Sequence, residues 1–152
     1  MLCPSLQARI GEGFLDLAAR LRQEERPWRV PVPLEDIGGR AMGNSPWGEP
    51  LVALHSNPGP EHTFVHPETG RFSGLIDFGD ASISHPAFDL RRWAGLSDWD
   101  AIWQGYTGEE PVSDGFVAVW RALRILANVG AMAAGGDSAA AAEGELQQLA
   151  AI

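Results

Sequence analysis

Apolar residues recur at helical spacing through Leu6, Ile10, Phe14, Leu17, Ala18 and Leu21. This predicts a one-faced helix over residues 1–26, entered at Pro4-Ser5 and stopped near Arg26-Pro27. The pattern then lapses. Residues 27–50 are dense in proline and broken by Gly38-Gly39, Gly43 and Gly48, so they read as a loop that Trp28 and Trp47 pin to the core. Short runs of strand character follow at residues 51–54, 63–65 and 72–76, the last two joined by a tight turn at Pro67-Glu68-Thr69-Gly70. Helical spacing returns over residues 94–152. Ser97-Asp98 caps a short helix bearing Trp99, Ile102, Trp103 and Tyr106, and Ser113-Asp114 caps a longer one bearing Phe116, Val117, Trp120, Leu123, Leu126 and Ala127. These aromatic stripes read as core. Gly135-Gly136 precedes an alanine-rich last helix whose narrow apolar set, Leu146, Leu149 and Ile152, predicts loose docking.

Composition narrows the class. A chain of 152 residues, 45% hydrophobic and 20% charged, suits one globular domain with its own core. The net charge is −9, and residues 51–152 carry thirteen acids against five arginines. That balance disfavours nucleic acid and anionic membrane as partners and suits a small cationic ligand, although solubility alone also asks for surface acids. The single cysteine, Cys3, excludes an intramolecular disulfide and fits a reducing compartment. With no signal-peptide pattern at the N-terminus and no stretch read as long enough to span a bilayer, the expectation is a cytoplasmic protein.

Candidate chemistry is concentrated in residues 51–93, which hold all four histidines, His55, His62, His66 and His85. A strand that ends in Asp77, beside a loop bearing Asn57 and His62, delivers polar groups to one place. One reading of the histidines is a zinc cluster of His55, His62 and His66. No cysteine supports it, and the interval from His62 to His66 falls on a strand rather than a helix, which ranks it second.

The leading reading rests on three pieces in order: His55-Ser56-Asn57 with His62, then Ile76-Asp77-Phe78-Gly79-Asp80, then His85-Pro86-Ala87-Phe88-Asp89-Leu90. Together they resemble the aminoglycoside phosphotransferase and choline kinase family, whose catalytic segment reads H-G-D-x-x-x-x-N, I-D-[FW]-x-D and D-P-x-x-D-L. The resemblance implies an α+β fold, the helix-rich C-terminal lobe of a protein-kinase-like phosphotransferase, with a small strand hairpin carrying the site. On that reading residues 1–152 form a single domain, shortened relative to the two-lobed family.

The resemblance also assigns roles. Asp77 matches the acid that bridges metal to nucleotide phosphates, and His62 stands where the family has a metal-binding asparagine. Asn57 occupies the position of the Asp that accepts the proton of the substrate hydroxyl. An amide oxygen can orient that hydroxyl but cannot take up its proton near neutral pH. His55 and Asp80 support the site, and Asp89 matches a buried acid that holds the backbone of the catalytic loop. Asp98, Asp100, Glu109 and Glu110 are candidates for contacting a cationic acceptor. Mg²⁺ and ATP or GTP are the implied cofactors. Their binding to this chain alone should be weak or absent, because there is no lysine and no glycine-rich cover loop following a strand.

The implied function is transfer of the γ-phosphate of a nucleotide to a hydroxyl of a small cationic acceptor, with a nucleotide-binding lobe supplied by another chain. The replacement at Asn57 leaves a second reading open, a non-catalytic binding or partner module derived from the same family.

Overall fold

In the computed structural model, which describes residues 6–43, 51–93, 99–108 and 110–150, the one-faced helix becomes α1 (Leu6–Gln23). Ile10, Phe14, Ala18 and Leu21, spaced three or four residues apart, are buried along it. The helix unwinds where Glu25 takes a left-handed backbone (φ 50°) and the Arg26 N–H donates to the Leu21 carbonyl at 3.1 Å. Pro4-Ser5, Trp47, Gly48, Ser97-Asp98 and Ile152 lie outside the described residues.

Residues 27–50 do not form the expected loop throughout: Leu34–Gly43 is a helix, α2. Proline is a breaker only inside a helix, and here it precedes one. The Pro33 carbonyl accepts the Asp36 and Ile37 N–H groups at 3.0 and 3.1 Å, and Glu35 and Asp36 place negative charge in the first turn. The Gly38-Gly39 pair signals a break, yet Gly38 is a packing requirement. A Cβ at Gly38 would run into the Phe14 ring, so this glycine lets α2 lie close to α1. Trp28 does act as a pin, its indole N–H donating to the Val32 carbonyl at 2.8 Å while it packs on the core.

The chain divides into two compact units, one comprising Met1–Gly48 with Val117–Ile152 and the other Glu49–Phe116. The core of the first is built from Phe14, Ala18, Leu21, Val30, Leu34 and Ile37 with residues of α5 (Asp114–Ala134) and α6 (Ser138–Ala150). Ser113 caps α5, its hydroxyl accepting the Phe116 N–H at 3.0 Å. Val117 and Ala127, counted in the expected apolar stripe, are exposed, while Val119, Ala122, Ile125 and Val129 are buried instead. With 21 residues α5 is long and apolar enough to cross a membrane by length and composition, contrary to the expectation that no stretch is. Its buried face in a packed core is what a core helix of that length also shows.

Helix α6 is not loosely docked. Leu146 is fully buried with Ala142 beside it, Glu145 pairs with Arg124 of α5, and the Arg121 guanidinium donates to the Leu149 carbonyl. The narrow apolar stripe misleads because small alanines bring the helix close and two arginines tie down its polar edge.

The second unit holds four short strands in two antiparallel pairs. β2 (Thr63–Val65) and β3 (Phe72–Leu75) form the expected hairpin, with Phe64 opposite Gly74 and an irregularity between Phe64 and Val65. Its turn closes through the His66 N–H to the Arg71 carbonyl and the Gly70 N–H to the His66 carbonyl, both 2.8 Å, with Gly70 at φ 65°. β1 (Val52–Leu54) pairs with β4 (Ser82–Ser84), a strand too short and polar to be legible beforehand. Helix α3 (Ala87–Leu90) follows, with the buried His85 accepting the Ala87 N–H at Nδ1. In α4 (Trp99–Thr107) the aromatic stripe is only half-buried: Trp99 packs on Trp103, Tyr106 stacks on Phe116, and Tyr106 keeps 42% of its surface exposed.

Leu146→Ala should therefore lower unfolding free energy by about 2–5 kcal/mol, the range for emptying a packed leucine site, whereas the exposed Leu15→Ala should change it by less than about 0.5 kcal/mol. Urea unfolding of both variants tests this; similar midpoints would mean that α6 is not part of the cooperative core.

Candidate functional site

The site begins in the backbone between β1 and the 3-10 turn Pro60–His62. Ser56 takes a left-handed conformation (φ 74°), a geometry that costs a residue with a Cβ about 1–2 kcal/mol and persists only where its surroundings enforce it. The enforcing group is Asp89. One carboxylate oxygen accepts the His55 N–H at 3.1 Å and the other the Ser56 N–H at 2.7 Å. The Ser56 hydroxyl bonds to that of Ser82 at 2.8 Å, and Arg91 donates to the Ser56 carbonyl at 3.2 Å.

Two histidine rings carry this order forward. His55 is buried, accepts the Asn57 N–H at Nδ1 (3.2 Å), and donates from Nε2 to the Ile76 carbonyl (2.7 Å). A ring that accepts at one nitrogen and donates at the other is the neutral Nε2-H tautomer. The Phe78 ring packs on it edgewise at 4.5 Å between centroids. His62 donates from Nδ1 to the Asn57 carbonyl at 2.8 Å, since a carbonyl can only accept. Asn57 is thus held at both its N–H and its C=O, by two different imidazoles.

The other nitrogen of His62, Nε2, lies 3.4 Å from Oδ2 of Asp77. Asp77 falls two residues beyond the end of β3, in a left-handed conformation (φ 66°, ψ 62°) that starts the turn Phe78–Asp80. Its neighbour Ile76 is fixed twice, its N–H donating to the His62 carbonyl at 3.1 Å and its carbonyl accepting from His55. The carboxylate of Asp77 is 61% exposed, while the His62 side chain is 18% exposed. An imidazole on a wall of the site therefore faces a carboxylate open to solvent.

The side-chain oxygen of Asn57 is buried and has no hydrogen-bond partner among the described residues. A buried acceptor left unmet costs about 1–3 kcal/mol, so this oxygen is suited to a donor from outside the fold, such as a hydroxyl.

Asn57, His62, Asp77, His55 and Asp89 therefore form one connected cluster. Asp89 is half-buried rather than buried, and its negative charge, after burial, contributes to raising the Tyr106 hydroxyl above the usual tyrosine range. Asp80 is exposed at the end of its turn and stands outside the network. His66 is an exposed turn residue that accepts the Glu68 N–H, and among the described residues no three His, Cys, Asp or Glu side chains converge as a zinc cluster would need. Asp100 and Glu110 are exposed outside the cluster, and Asp98 and Glu109 lie outside the described residues.

Sequence reasoning missed Ser56, the Ile76 carbonyl, Ser82 and the arginines. For Ser56 a signal existed, because the resembling motif has glycine at that place and glycine marks a left-handed backbone. Arg92 pairs with Glu61 at 3.2 Å, one residue before His62. The Glu61 carboxyl is held below the usual carboxylate range, first by its own backbone N–H and then by Arg92.

A family model described as a phosphotransferase enzyme family matches residues 5–134, most of the chain. No curated protein and no solved structure matches it.

Because Asp89 satisfies two backbone donors and Asp80 none, Asp89→Ala should lower stability by about 1–3 kcal/mol and Asp80→Ala by much less. Thermal melts of the two variants check this, and equal shifts would remove Asp89 from its role in shaping the loop.

Proposed function

The chain belongs to the phosphotransferase enzyme family, and from that premise we propose that the cluster around Asn57 serves transfer of the γ-phosphoryl group of ATP or GTP to a hydroxyl of a small cationic acceptor. The observation that carries this reading is the unpartnered, buried Asn57 oxygen, set one hydrogen bond and one imidazole away from an exposed carboxylate. In support of the reading, Asn57 and Asp77 lie on either side of the same His62 ring, the first suited to receiving a hydroxyl and the second to holding a cation.

The donor set fits a divalent ion. Asp77 Oδ2 and His62 Nε2 are the atoms that would hold it, and a bound cation would supply charge neutralisation at the nucleotide phosphates. The chain's own residues do the rest. Asn57 Oδ1 accepts the hydrogen bond of the acceptor hydroxyl and thereby aims an oxygen lone pair at the phosphoryl group. The clamps on its N–H and C=O fix the direction of that aim. Because an amide cannot hold the hydroxyl proton, that proton leaves to a phosphate oxygen or to solvent. Such a step is tolerable in a loose transition state that mainly asks for positioning.

Two features bear on what must accompany the chain. It contains no lysine, so a lysine that grips the phosphates has to come from elsewhere. Large apolar side chains are also exposed on the strands and turns that carry the site: Phe64, Val65, Phe72, Ile76, Phe78 and Ile83. Such a concentration exceeds the scattered apolar exposure of ordinary surfaces and is consistent with a covering nucleotide-binding lobe on another chain.

Asn57 itself favours a second reading, a binding or partner module of the same family that has given up turnover. Loss of a positioned base costs about a hundred- to ten-thousand-fold in rate.

The two readings separate on one experiment. With a complete nucleotide lobe, a divalent cation and a panel of aminoglycosides and amino alcohols, Asn57→Asp should raise phosphoryl transfer on the order of a hundredfold or more. The gain should vanish with Asp77→Ala. Turnover absent from both the native chain and Asn57→Asp across the panel would leave the module reading standing. By calorimetry the chain alone should bind ATP with Mg²⁺ weakly, and a Kd below about 1 μM would show that its own residues suffice to clamp the phosphates.

A further inference from the structure

We propose that His62 and Asp77 select a divalent cation of the Co²⁺ or Zn²⁺ class over Mg²⁺. The inference rests on the phosphotransferase reading for what the cation is used for, but its binding is a property of these two side chains.

The orientation of the His62 ring is settled by its surroundings. Its Nδ1–H is committed to the Asn57 carbonyl at 2.8 Å, and its backbone carbonyl accepts the Ile76 N–H at 3.1 Å. In the neutral ring the lone pair on Nε2 is therefore directed toward Oδ2 of Asp77. The Nδ1–H to carbonyl bond is the kind of outer partner that orients metal-binding imidazoles and raises their basicity.

The spacing of the two donor atoms is informative. Two bonds of about 2.1 Å opening at a tetrahedral angle put their donor atoms about 3.4 Å apart, and at the right angle of an octahedron about 3.0 Å apart. The separation of Nε2 and Oδ2 is 3.4 Å, long for a charge-assisted hydrogen bond and matched to two ligands of one small cation.

Donor chemistry then decides among cations. Mg²⁺ prefers oxygen donors in near-ideal octahedra and gives up water reluctantly, whereas imidazole nitrogen suits zinc and the later first-row transition ions. Among the described residues a third protein ligand is not at hand. The His55 ring centroid is 6.1 Å from that of His62, and both His55 nitrogens are occupied by Asn57 and Ile76. Among the described residues no group of three ligating side chains converges. With one carboxylate and one imidazole as its protein donors, the site gives a hard, oxygen-seeking ion only half of what it wants. The exposed side of Asp77 leaves the remaining positions to water or phosphate oxygens.

The test uses the full chain and metal alone, so that failure of phosphoryl transfer has no bearing on it. Co²⁺ added at mildly alkaline pH should give saturable visible absorption that Zn²⁺ displaces and a large excess of Mg²⁺ does not. His62→Asn, which offers an amide oxygen instead, should weaken Co²⁺ binding on the order of tenfold or more, while the exposed His66→Ala should leave it unchanged. Should His62→Asn fail to fold, nitrogen NMR of the native chain serves instead, with the His62 Nε2 resonance moving on addition of Zn²⁺. Displacement of Co²⁺ by comparable Mg²⁺, a Co²⁺ spectrum unaltered in His62→Asn, or a His62 resonance indifferent to Zn²⁺ would each overturn the proposal and leave His62 and Asp77 as an ion pair only.

Discussion

The structure of the site depends on a single carboxylate bonded to two consecutive backbone amides. Asp89 accepts the N–H groups of His55 and Ser56, and this pair of bonds forces the left-handed turn at Ser56 from which the rest follows. Reversing the chain direction there turns the His55 ring inward to the Ile76 carbonyl and brings the Asn57 N–H onto the same ring. The carboxylate sits on α3, 33 and 34 residues further along the chain, so the loop is shaped by a non-local contact rather than by its own propensity. Bonds from charged acceptors are worth about 1.5–3 kcal/mol each, enough to offset the strain of one non-glycine residue in the left-handed region.

From that loop, order passes through imidazoles because an imidazole can accept at one edge and donate at the other. His55 joins the Asn57 amide to the Ile76 carbonyl, and His62 joins the Asn57 carbonyl to the neighbourhood of Asp77. The hairpin supplies the second constraint, since the Ile76 N–H bonds back to the His62 carbonyl and so carries Asp77 to the far side of the same ring. The site is thus a closed loop of hydrogen bonds linking residues 55, 57, 62 and 76, with the Asn57 side chain buried within it and the Asp77 carboxylate open to solvent beside it.

Elements carried by strong periodicity or turn chemistry were legible in the sequence. The heptad-like run through Phe14 and Leu21 announces α1, Ser113-Asp114 announces the start of α5, and the Pro-Glu-Thr-Gly turn announces the β2–β3 hairpin. Elements whose formation depends on what they touch were not. Helix α2 reads as a proline- and glycine-rich loop because the value of Gly38 is visible only against the Phe14 ring, and β4 reads as nothing because three residues form a strand only beside β1. For the site, motif spacing was enough to nominate Asn57, His62, Asp77 and Asp89. The backbone conformation of Ser56 and the exposure of Asp80 lay beyond it, since both are settled by packing rather than by residue type.

Two of the letters in which this chain departs from the resembling motif, Asn57 and His62, are not independent, because they are bonded to each other. The ring that replaces the metal-binding amide donates to the backbone of the residue that replaces the base. A carboxylate at position 57 would stand in the same cluster as Asp77 and raise its negative charge, an arrangement that calls for a hard cation to hold the two acids together. With a neutral amide at position 57 that demand falls, and one carboxylate with one imidazole suffices for an ion of softer character. The imidazole in turn needs an acceptor at Nδ1 to direct its lone pair, and the Asn57 carbonyl is that acceptor whatever the side chain of residue 57 is. The two replacements therefore act in the same physical direction, toward a less negative site that would hold the proposed cation by nitrogen as well as oxygen.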